Sequence, residues 1–385
     1  MDKIRIAFIG GGGKKAFFGS VHRDALGLLP NIEVVSGVLT DGRDRNQMDP
    51  LEAADAWGIK GYRTVTELLS NHSRDRIDYV VVVTPNYCHS RQVKACLKAG
   101  LPVLCEKPFT MRVEEARELE QLSLQEPIPV AISYTYTGYW GMKLARGIVQ
   151  SGVLGPVRKV QVSYLQGWLS DDIPVWRTIP IMAGASCCGG DIGTHCEMAV
   201  RYVTGLEIKK VLAATNTFVP GRLLEDDFNV FCQIGNDGGF ALITATQVAV
   251  GHRNDHGIQV FCEDGSVEWR QEDPDMVVVH QKGVGSKLYF RGERYENDFL
   301  VKTIVPEIAW AATLPSGHVE AFHPALRNIH AAFGGAVRNW QESGKKEIPE
   351  RDFPNATDGR KGMEFVRACV TSHRKGNVTT LVETG

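Results

Sequence analysis

Two short segments of the chain carry side chains that are suited to acid–base chemistry. Lys107 follows the apolar run Val103–Cys105 and Glu106. Asp191 and His195 are four residues apart in a glycine-rich stretch, so they share one face if that stretch is helical. A lysine, a carboxylate and an imidazole suit the removal of a proton from an alcohol while hydride leaves the same carbon. We therefore predict that Lys107, Asp191 and His195 are catalytic.

Each of these three residues has an expected role in such an oxidation. Neutral imidazole has an ordinary pKa of about 6.5 and is a suitable general base, so His195 is expected to take the proton. Asp191 is expected to orient the imidazole or to hold a substrate hydroxyl, and Lys107 to donate to the substrate oxygen. The alternative without chemistry is a surface lysine at a strand end and a structural pair on a helix.

A glycine-rich turn near the amino terminus indicates where the hydride goes. It follows residues 4–9, an apolar run of strand type, and precedes a predicted helix over residues 18–29. Only glycine lets backbone N–H groups approach a pyrophosphate closely, and the pyrophosphate then lies at the positive end of the helix. The spacing departs from the plain G-x-G-x-x-G pattern, and the alternative is a flexible turn. The predicted cofactor-binding glycines are Gly10, Gly12, Gly13 and Gly19.

The residues after the second predicted strand, 31–38, bear on the choice of cofactor. Asp41 would accept a hydrogen bond from the 2′-hydroxyl of the adenosine ribose and repel a 2′-phosphate. Arg43 or Arg45 could instead hold that phosphate. The sequence therefore favours NAD through Asp41 and leaves NADP open.

Polar residues also follow two further predicted strands at their carboxyl ends. Residues 79–83 form a continuous apolar run, as expected for a parallel strand that is covered on both faces. Residues 101–105 form the next strand. Ligands bind outside the carboxyl ends of the strands in open α/β sheets, so these ends are expected to converge on the cofactor. The residues predicted there are Thr84, Pro85, Asn86, His89, Glu106 and Lys107.

Together these motifs resemble the Gfo/Idh/MocA family, which includes glucose–fructose oxidoreductase and inositol dehydrogenase. The resemblance covers essentially the whole chain, and it implies that Lys107, Asp191 and His195 match the catalytic lysine, aspartate and histidine of the family. The long glycine loop departs from the shorter loop that is commoner in the family. The motifs that carry the resemblance are the glycine turn, Thr84-Pro85-Asn86 with His89, Glu106-Lys107-Pro108 and residues 191–195.

The resemblance implies an α/β protein with two domains. Residues 1–135 are expected to form an N-terminal Rossmann dinucleotide-binding domain, and residues 136–385 a C-terminal α/β domain with a large, mostly antiparallel sheet. The strand-like segments of the second part are separated by turn residues without long helices between them, which also predicts antiparallel pairing. These segments are 157–166, 208–219, 228–234, 240–250, 258–262, 267–270, 276–280 and 287–291, and the predicted helices include 113–125, 142–151, 324–342 and 356–375.

Aromatic residues of the second domain are candidates for the substrate site. Tyr164, Trp168, Trp176 and Arg177 resemble the branch of the family that acts on sugars and glycosides. A sugar face stacks well on aromatic rings, although these side chains could equally be core residues. Trp176 and Arg177 are also predicted cofactor contacts, with pairing of Arg177 to a carboxylate as the alternative. The predicted substrate-binding residues are Lys107, Tyr136, Tyr164, Trp168, Asp191 and His195.

The leading hypothesis for function is an NAD(P)-dependent dehydrogenase that oxidises a ring hydroxyl of a sugar, glycoside or inositol to a ketone. The C3 hydroxyl of a pyranoside is the preferred position, because it stays free whatever the aglycone. One alternative is a glycosidase that oxidises its substrate, eliminates the aglycone and reduces the product around a retained NAD. Another is a non-catalytic regulator that senses sugars or nucleotides. That alternative predicts the loss of a catalytic residue, and all three are present.

Composition excludes several other classes of protein. The formal net charge of −2 and the lack of a basic block argue against nucleic-acid or membrane-surface binding. No apolar run approaches the roughly twenty residues of a membrane helix, and no signal peptide is recognised. Nine cysteines without regular spacing favour reduced thiols and a cytoplasmic location. A zinc site at Cys187, Cys188 and Cys196 lacks C-x-x-C geometry, so no metal is expected.

The predicted large sheet is expected to form an oligomer interface. Phe231 lies opposite the apolar set of its strand, so the second face does not end wholly in water. Phe240 and Leu242 are expected to continue the apolar set on the next strand. We therefore expect a homodimer or homotetramer formed sheet to sheet, as the resemblance also implies. The apolar set consists of Phe228, Val230, Cys232 and Ile234.

Overall fold

Six parallel strands form the first sheet of this computed structural model, which describes residues 3–12, 17–39, 48–349 and 352–383. The strand order is β3-β2-β1-β4-β5-β6, so the first strand lies inside the sheet. Strand β4 is buried at every position, as its continuous apolar sequence predicts. The strands are β1 Ile4–Gly10, β2 Ile32–Val38, β3 Lys60–Gly61, β4 Tyr79–Val83, β5 Val103–Cys105 and β6 Val130–Ile132.

Helices connect these strands, and local signals determine where some of them begin and end. Helix α2 begins after Asp49, whose side chain accepts the N–H of Leu51, and ends at Gly58 in the left-handed conformation. Helix α3 begins after Thr64, which accepts the N–H of Glu67. The helices are α1 Phe17–Gly27, α2 Pro50–Trp57, α3 Val65–Ser70, α4 His72–Asp75, α5 Asn86–Lys98 and α6 Val113–Gln125.

A nine-stranded sheet forms the second part of the described structure. Its order is β14-β13-β12-β11-β7-β10-β9-β8-β15, and all neighbours are antiparallel except β7 and β10, which are parallel. The prediction of a mostly antiparallel sheet is therefore confirmed. The strands are β7 Val157–Leu165, β8 Ile208–Asn216, β9 Asp227–Ile234, β10 Gly239–Thr246, β11 Asp255–Cys262, β12 Gly265–Arg270, β13 Asp273–Gln281, β14 Gly285–Phe290 and β15 Thr380–Leu381.

One helix of this second part contradicts the expectation that no long helix interrupts the strands. Helix α9 lies between β7 and β8 in the sequence and is buried at every position. A π-helical turn, Gly189–Gly193, leads directly into it. Its polar residues Glu197 and Arg201 form a buried ion pair one turn apart, which explains why its sequence does not read as apolar. The helices that follow α6 in the sequence are α7 Trp140–Gln150, α8 Pro180–Ala183, α9 Thr194–Thr204, α10 Ile304–Glu307, α11 Phe322–Glu342 and α12 Ala356–Arg374.

The chain divides into two compact units, and the division is not a single cut. Residues up to Tyr134 belong with Leu326–Arg360, and Thr135–Ala325 belong with the residues from Lys361 onward. The sequence-based boundary at 135/136 assigned all later residues to the second domain. Helix α11 departs from that assignment because its residues Ile329 and Phe333 are buried in the core of the parallel sheet. No helix of the described part is long and apolar enough to cross a membrane.

Candidate active site

The glycine-rich turn after β1 is packed so closely that side chains would not fit. A Cβ atom on Gly12 would lie 2.3 Å from Cβ of Leu39, and one on Gly19 would lie 1.9 Å from the carbonyl oxygen of Gly11. Gly10 has a φ of +87°, a conformation that L side chains rarely adopt. The turn therefore presents bare backbone, as a pyrophosphate site requires. Of the other predicted cofactor residues, Gly13 and Asp41, with the alternatives Arg43 and Arg45, lie outside the described residues.

Thr84 borders this turn and supplies a polar group that suits a dinucleotide. A Cβ on Gly10 would lie 2.7 Å from Cγ2 of Thr84, at the carboxyl end of β4. Within the described part of the chain, the buried Oγ1 of Thr84 has no hydrogen-bond partner. A buried hydroxyl normally has one, so the glycine turn and Thr84 fit a bound nicotinamide dinucleotide. Pro85 precedes α5, and Asn86 is its buried first residue.

His89 connects two of the predicted strand ends instead of presenting a free nitrogen. Its Nε2 lies 2.7 Å from the carbonyl oxygen of Thr84 and its Nδ1 lies 2.8 Å from that of Pro108. The ring is fully buried, and this burial lowers the pKa of His89 although the two carbonyls oppose the effect. His89 thus holds Thr84 and Pro108 in place, and direct cofactor contact by its side chain stays a prediction.

Glu106 also faces inward. Its Oε1 lies 2.8 Å from Nε2 of His22, and its Oε2 accepts the backbone N–H of Lys107 at 3.3 Å. Burial raises the pKa of Glu106, but His22 and the Lys107 ammonium outweigh burial, so the pKa lies below its ordinary value. Lys107 itself is half-buried, and its peptide bond to Pro108 is cis. The carboxylate is therefore ionised beside the predicted catalytic lysine.

In the second unit, Asp191 lies on the π-helical turn and His195 on the first turn of α9. Packing requires the glycine at position 189, because a Cβ on Gly189 would lie 2.5 Å from Cε2 of Phe228. The buried carboxyl of Glu225 accepts the N–H of Gly189 at 3.0 Å and the hydroxyl of Ser186. Burial raises the pKa of Glu225. The helical segment expected from the spacing is present, with a wider first turn than an α-helix.

The side chains of Gln247 and Arg177 both contact the carboxylate of Asp191. Nε2 of Gln247 donates to Oδ2 at 2.9 Å, and Nε of Arg177 donates to Oδ1 at 3.3 Å. The Arg177 guanidinium also lies over the ring of Trp176, 4.6 Å from its centroid. The structure therefore shows the carboxylate pairing that the sequence left as an alternative for Arg177. Cofactor contacts by Trp176 and Arg177 stay predictions.

His195 is buried and bordered by two predicted substrate-site tyrosines. Its ring centroid lies 4.9 Å from that of Tyr136 and 5.9 Å from that of Tyr164. The two phenols form a closed hydrogen-bond cycle with Asn254: Tyr164 donates to Oδ1 at 2.7 Å, Nδ2 donates to the Tyr136 oxygen at 2.8 Å, and Tyr136 in turn donates to Tyr164. Burial raises the pKa of both tyrosines. Both phenols stay protonated, so Tyr136 is unsuited to act as the general base.

Trp168 lies at the exposed end of the same polar network. Its indole N–H donates to Oε1 of Gln166 at 2.9 Å, and the Gln166 amide donates to Oδ1 of Asn254 at 2.7 Å. The Trp168 side chain is 39% exposed, so its ring is available to a ligand. A continuous hydrogen-bonded path thus leads from Trp168 to the tyrosines that border His195.

Sequence reasoning missed several residues of these networks. Gln247, Asn254 and Glu225 lie on segments without motif spacing, and their partners are distant in sequence, so no local signal identified them. His22 and its partner His330 are 308 residues apart, so no local signal paired them either. The nine cysteines are buried free thiols, and the described residues contain no group of three or more potential metal ligands.

Comparison with protein-family models decides the family. Residues 4–132 match the oxidoreductase family with an NAD-binding Rossmann fold, and residues 142–268 match the GFO/IDH/MocA C-terminal domain. The chain belongs to the Gfo/Idh/MocA family. The family resemblance, the α/β fold and the NAD-binding Rossmann domain expected from the sequence are thereby confirmed. This family member is an oxidoreductase of the group that contains NAD-dependent dehydrogenases of sugars and polyols.

Individual relatives of this Gfo/Idh/MocA protein cover most of its length. The uncharacterized oxidoreductase YfiI of Bacillus subtilis is 26% identical over 79% of this chain and 78% of its own. Levoglucosan dehydrogenase of Pseudarthrobacter phenanthrenivorans is 25% identical over 72% of this chain and 76% of its own. A crystal structure of an inositol dehydrogenase homolog with NAD+ from Azotobacter vinelandii has a TM-score of 0.89, with 27% identity over 99% of this chain and 97% of that one.

Proposed function

We propose that this protein is an NAD-dependent dehydrogenase that oxidises a secondary ring hydroxyl, preferably at C3, of a sugar, glycoside or inositol. The observation that carries the proposal is the segment with Asp191 and His195, where a fixed carboxylate and a buried imidazole lie beside aromatic rings. Aromatic rings bind the apolar faces of sugars, and a carboxylate binds their hydroxyls by accepting hydrogen bonds. Relatives named for levoglucosan and inositol support the same substrate class.

The residues of this chain divide the work of the proposed oxidation among them. NAD+, when bound, supplies the hydride acceptor. His195 takes the hydroxyl proton, since Tyr136 and Tyr164 keep their phenolic protons within the cycle with Asn254. Lys107 donates to the reacting oxygen and stabilises the alkoxide charge that develops there.

Asp191 has a binding role in this proposal. Its carboxylate accepts hydroxyl protons of the substrate, and the donors Arg177 and Gln247 keep that carboxylate from rotating. Trp168 offers the ring face on which the sugar stacks. Substrate orientation therefore comes from groups that are themselves held by hydrogen bonds.

A substrate screen tests the proposed function. The purified protein is incubated with NAD+ or NADP+ and a panel of monosaccharides, inositols and glycosides, and NADH formation and product mass are followed together. The proposal predicts stoichiometric NADH and a product lighter by two hydrogens. Release of free aglycone without net NADH would favour the oxidation–elimination–reduction glycosidase. Neither NADH nor aglycone from any compound would contradict both.

We further infer an oligomer built on the exposed face of the nine-stranded sheet. Phe231 and Phe240 are each more than two-fifths exposed, and their ring centroids lie 5.0 Å apart. The register pairs Leu242 with Phe231, so Phe240 and Leu242 lie on the Phe231 face and not with the buried set that the sequence suggested. A contiguous apolar face favours self-association.

Light scattering at micromolar concentration tests the oligomer. The wild type should give the mass of a dimer or tetramer, and Phe231→Glu should give smaller species. A monomeric wild type would contradict the inference.

A further inference from the structure

A chain of four buried side chains lies behind Lys107 in the N-terminal unit. The hydroxyl oxygen of Tyr79 on β4 lies 3.1 Å from Nδ1 of His330, and Nε2 of His330 lies 2.8 Å from Nδ1 of His22 on α1. Nε2 of His22 lies 2.8 Å from Oε1 of Glu106. Tyr79, His330 and His22 have no exposed surface, and Glu106 has almost none. The chain connects helix α11 to the residue that precedes the predicted catalytic lysine.

The direction of every hydrogen bond in this chain follows from its ends. The buried hydroxyl of Tyr79 needs an acceptor, and Nδ1 of His330 is the one it has among the described residues. Burial lowers the pKa of His330 well below its ordinary value, so this neutral ring carries its single proton on Nε2 and donates it to His22. His22 then carries its own proton on Nε2 and donates it to Glu106. All three donors therefore point toward the carboxylate.

We propose that the chain Tyr79–His330–His22–Glu106 positions Lys107 for the dehydrogenation proposed above, with His330 as its central positioning residue. His22 fixes one oxygen of Glu106, and the other oxygen accepts the backbone N–H of Lys107. The carboxylate cannot rotate without breaking one of these bonds, so the backbone of Lys107 is held in one place.

These four hydrogen-bonded side chains also give a reason for the return of α11 to the first unit. Helix α11 follows nearly two hundred residues of the second unit and places Phe333 and His330 against Tyr79. Phe333 contributes packing alone, whereas His330 contributes both a donor and an acceptor. A helix that served only to cover the sheet would need no imidazole at this position, since a buried imidazole costs desolvation.

Substitutions of His330 separate positioning from packing. His330→Phe keeps a ring but removes both nitrogens, and it should lower kcat by on the order of ten- to a hundredfold, as expected for a slightly displaced catalytic group. KM for the substrate and Kd for NAD should stay within about twofold of wild type, because His330 is fully buried and has no surface for a ligand to contact. His330→Gln can donate to His22 and accept from Tyr79, so it should recover most of the lost kcat. Phe333→Leu is the matched control on the same helix, and it should lower Tm without lowering kcat.

The state of His22 gives a second readout that packing does not alter. Nitrogen NMR of histidine-labelled protein should show His22 protonated on Nε2 in the wild type and a mixture of tautomers in His330→Phe or in Tyr79→Phe, which removes a single oxygen. His22 protonated on Nδ1 in the wild type would overturn the proposal, and so would an unchanged kcat in folded His330→Phe. A wild type that forms no NADH from any polyol would refute the proposed function itself, and this inference with it.

Discussion

Acid should destabilise this protein through His256, and the structure gives the size of the effect. The ring lies between Tyr136 and Tyr164 with centroids 4.6 and 5.0 Å away, and its Nδ1–H donates to the carbonyl of Ser163 at 2.9 Å. Burial lowers the pKa of His256 to about 4, although the bond to Ser163 and the charge of Asp255 oppose the effect. In the unfolded chain the pKa returns to about 6.5, so the unfolded state binds more protons in acid. The contribution of His256 to the free energy of unfolding is therefore fully present above pH 6.5 and is lost as pH falls toward 4. Between pH 7 and pH 5 the loss from this one residue is about 1.8 kcal/mol.

The substitution His256→Asn isolates that loss. The asparagine amide can still donate to Ser163, but it does not titrate, so the variant should lose about 1.8 kcal/mol less than wild type between pH 7 and pH 5. Urea unfolding at both pH values and constant ionic strength measures the difference. Other buried histidines, such as His89 and His330, have lowered pKa values too and contribute equally to both proteins. His318→Asn, at an exposed position, is the control and should keep the wild-type pH dependence. Equal losses in wild type and His256→Asn would refute the reasoning.

Two further substitutions test the glycine turn and the setting of Asp191 separately. Gly12→Ala would place a Cβ 2.3 Å from that of Leu39, so the turn must shift and Kd for NAD should rise at least about tenfold by calorimetry. Gly27→Ala, where a Cβ meets nothing within 4 Å, should leave Kd unchanged, and an unchanged Kd for Gly12→Ala would contradict the turn's role. Gln247→Leu removes a donor to the Asp191 carboxylate and should lower kcat/KM by about ten- to a hundredfold, as for other hydrogen bonds to charged groups. Gln259→Leu, which loses a similar bond to Glu268 at 2.8 Å, should keep wild-type kcat/KM, and equal rates for the two variants would argue against the role of Gln247.

Local sequence patterns predicted those parts of the fold that local physics determines. Strand β4 was expected at residues 79–83 and lies at Tyr79–Val83. A run of valines that is bounded by polar residues favours a buried strand over a helix. Helix α6 likewise lies at Val113–Gln125, where an amphipathic pattern marks the whole segment. The two-residue strand β3 was missed, since two residues carry no period. Strand β6 is also short and ends at Ile132, after which the N–H of Tyr134 bonds to the carbonyl of Ile132 instead of to a neighbouring strand.

Long-range contacts explain what the sequence could not predict. The place of α11 depends on contacts of His330 and Phe333 with β4, some 250 residues earlier in the chain. The setting of Asp191 depends on Gln247, which lies 56 residues later and shares no motif with it. The motif residues were identifiable because cofactor and proton chemistry restrict residue type and spacing. The residues that hold them need only a hydrogen-bonding group in the right place, which any of several types can supply.

The rate of polyol oxidation by Lys107→Ala tests the central claim most directly. Lys107 is half-buried at a strand end, so truncation should leave the fold in place. Loss of one donor to a developing alkoxide typically costs about a hundred- to a thousandfold in kcat. We predict a loss of that size, measured at saturating NAD as NADH formed from the best substrate of the screen. A variant that retains more than about a third of the wild-type kcat would contradict the assignment of Lys107 to the chemical step.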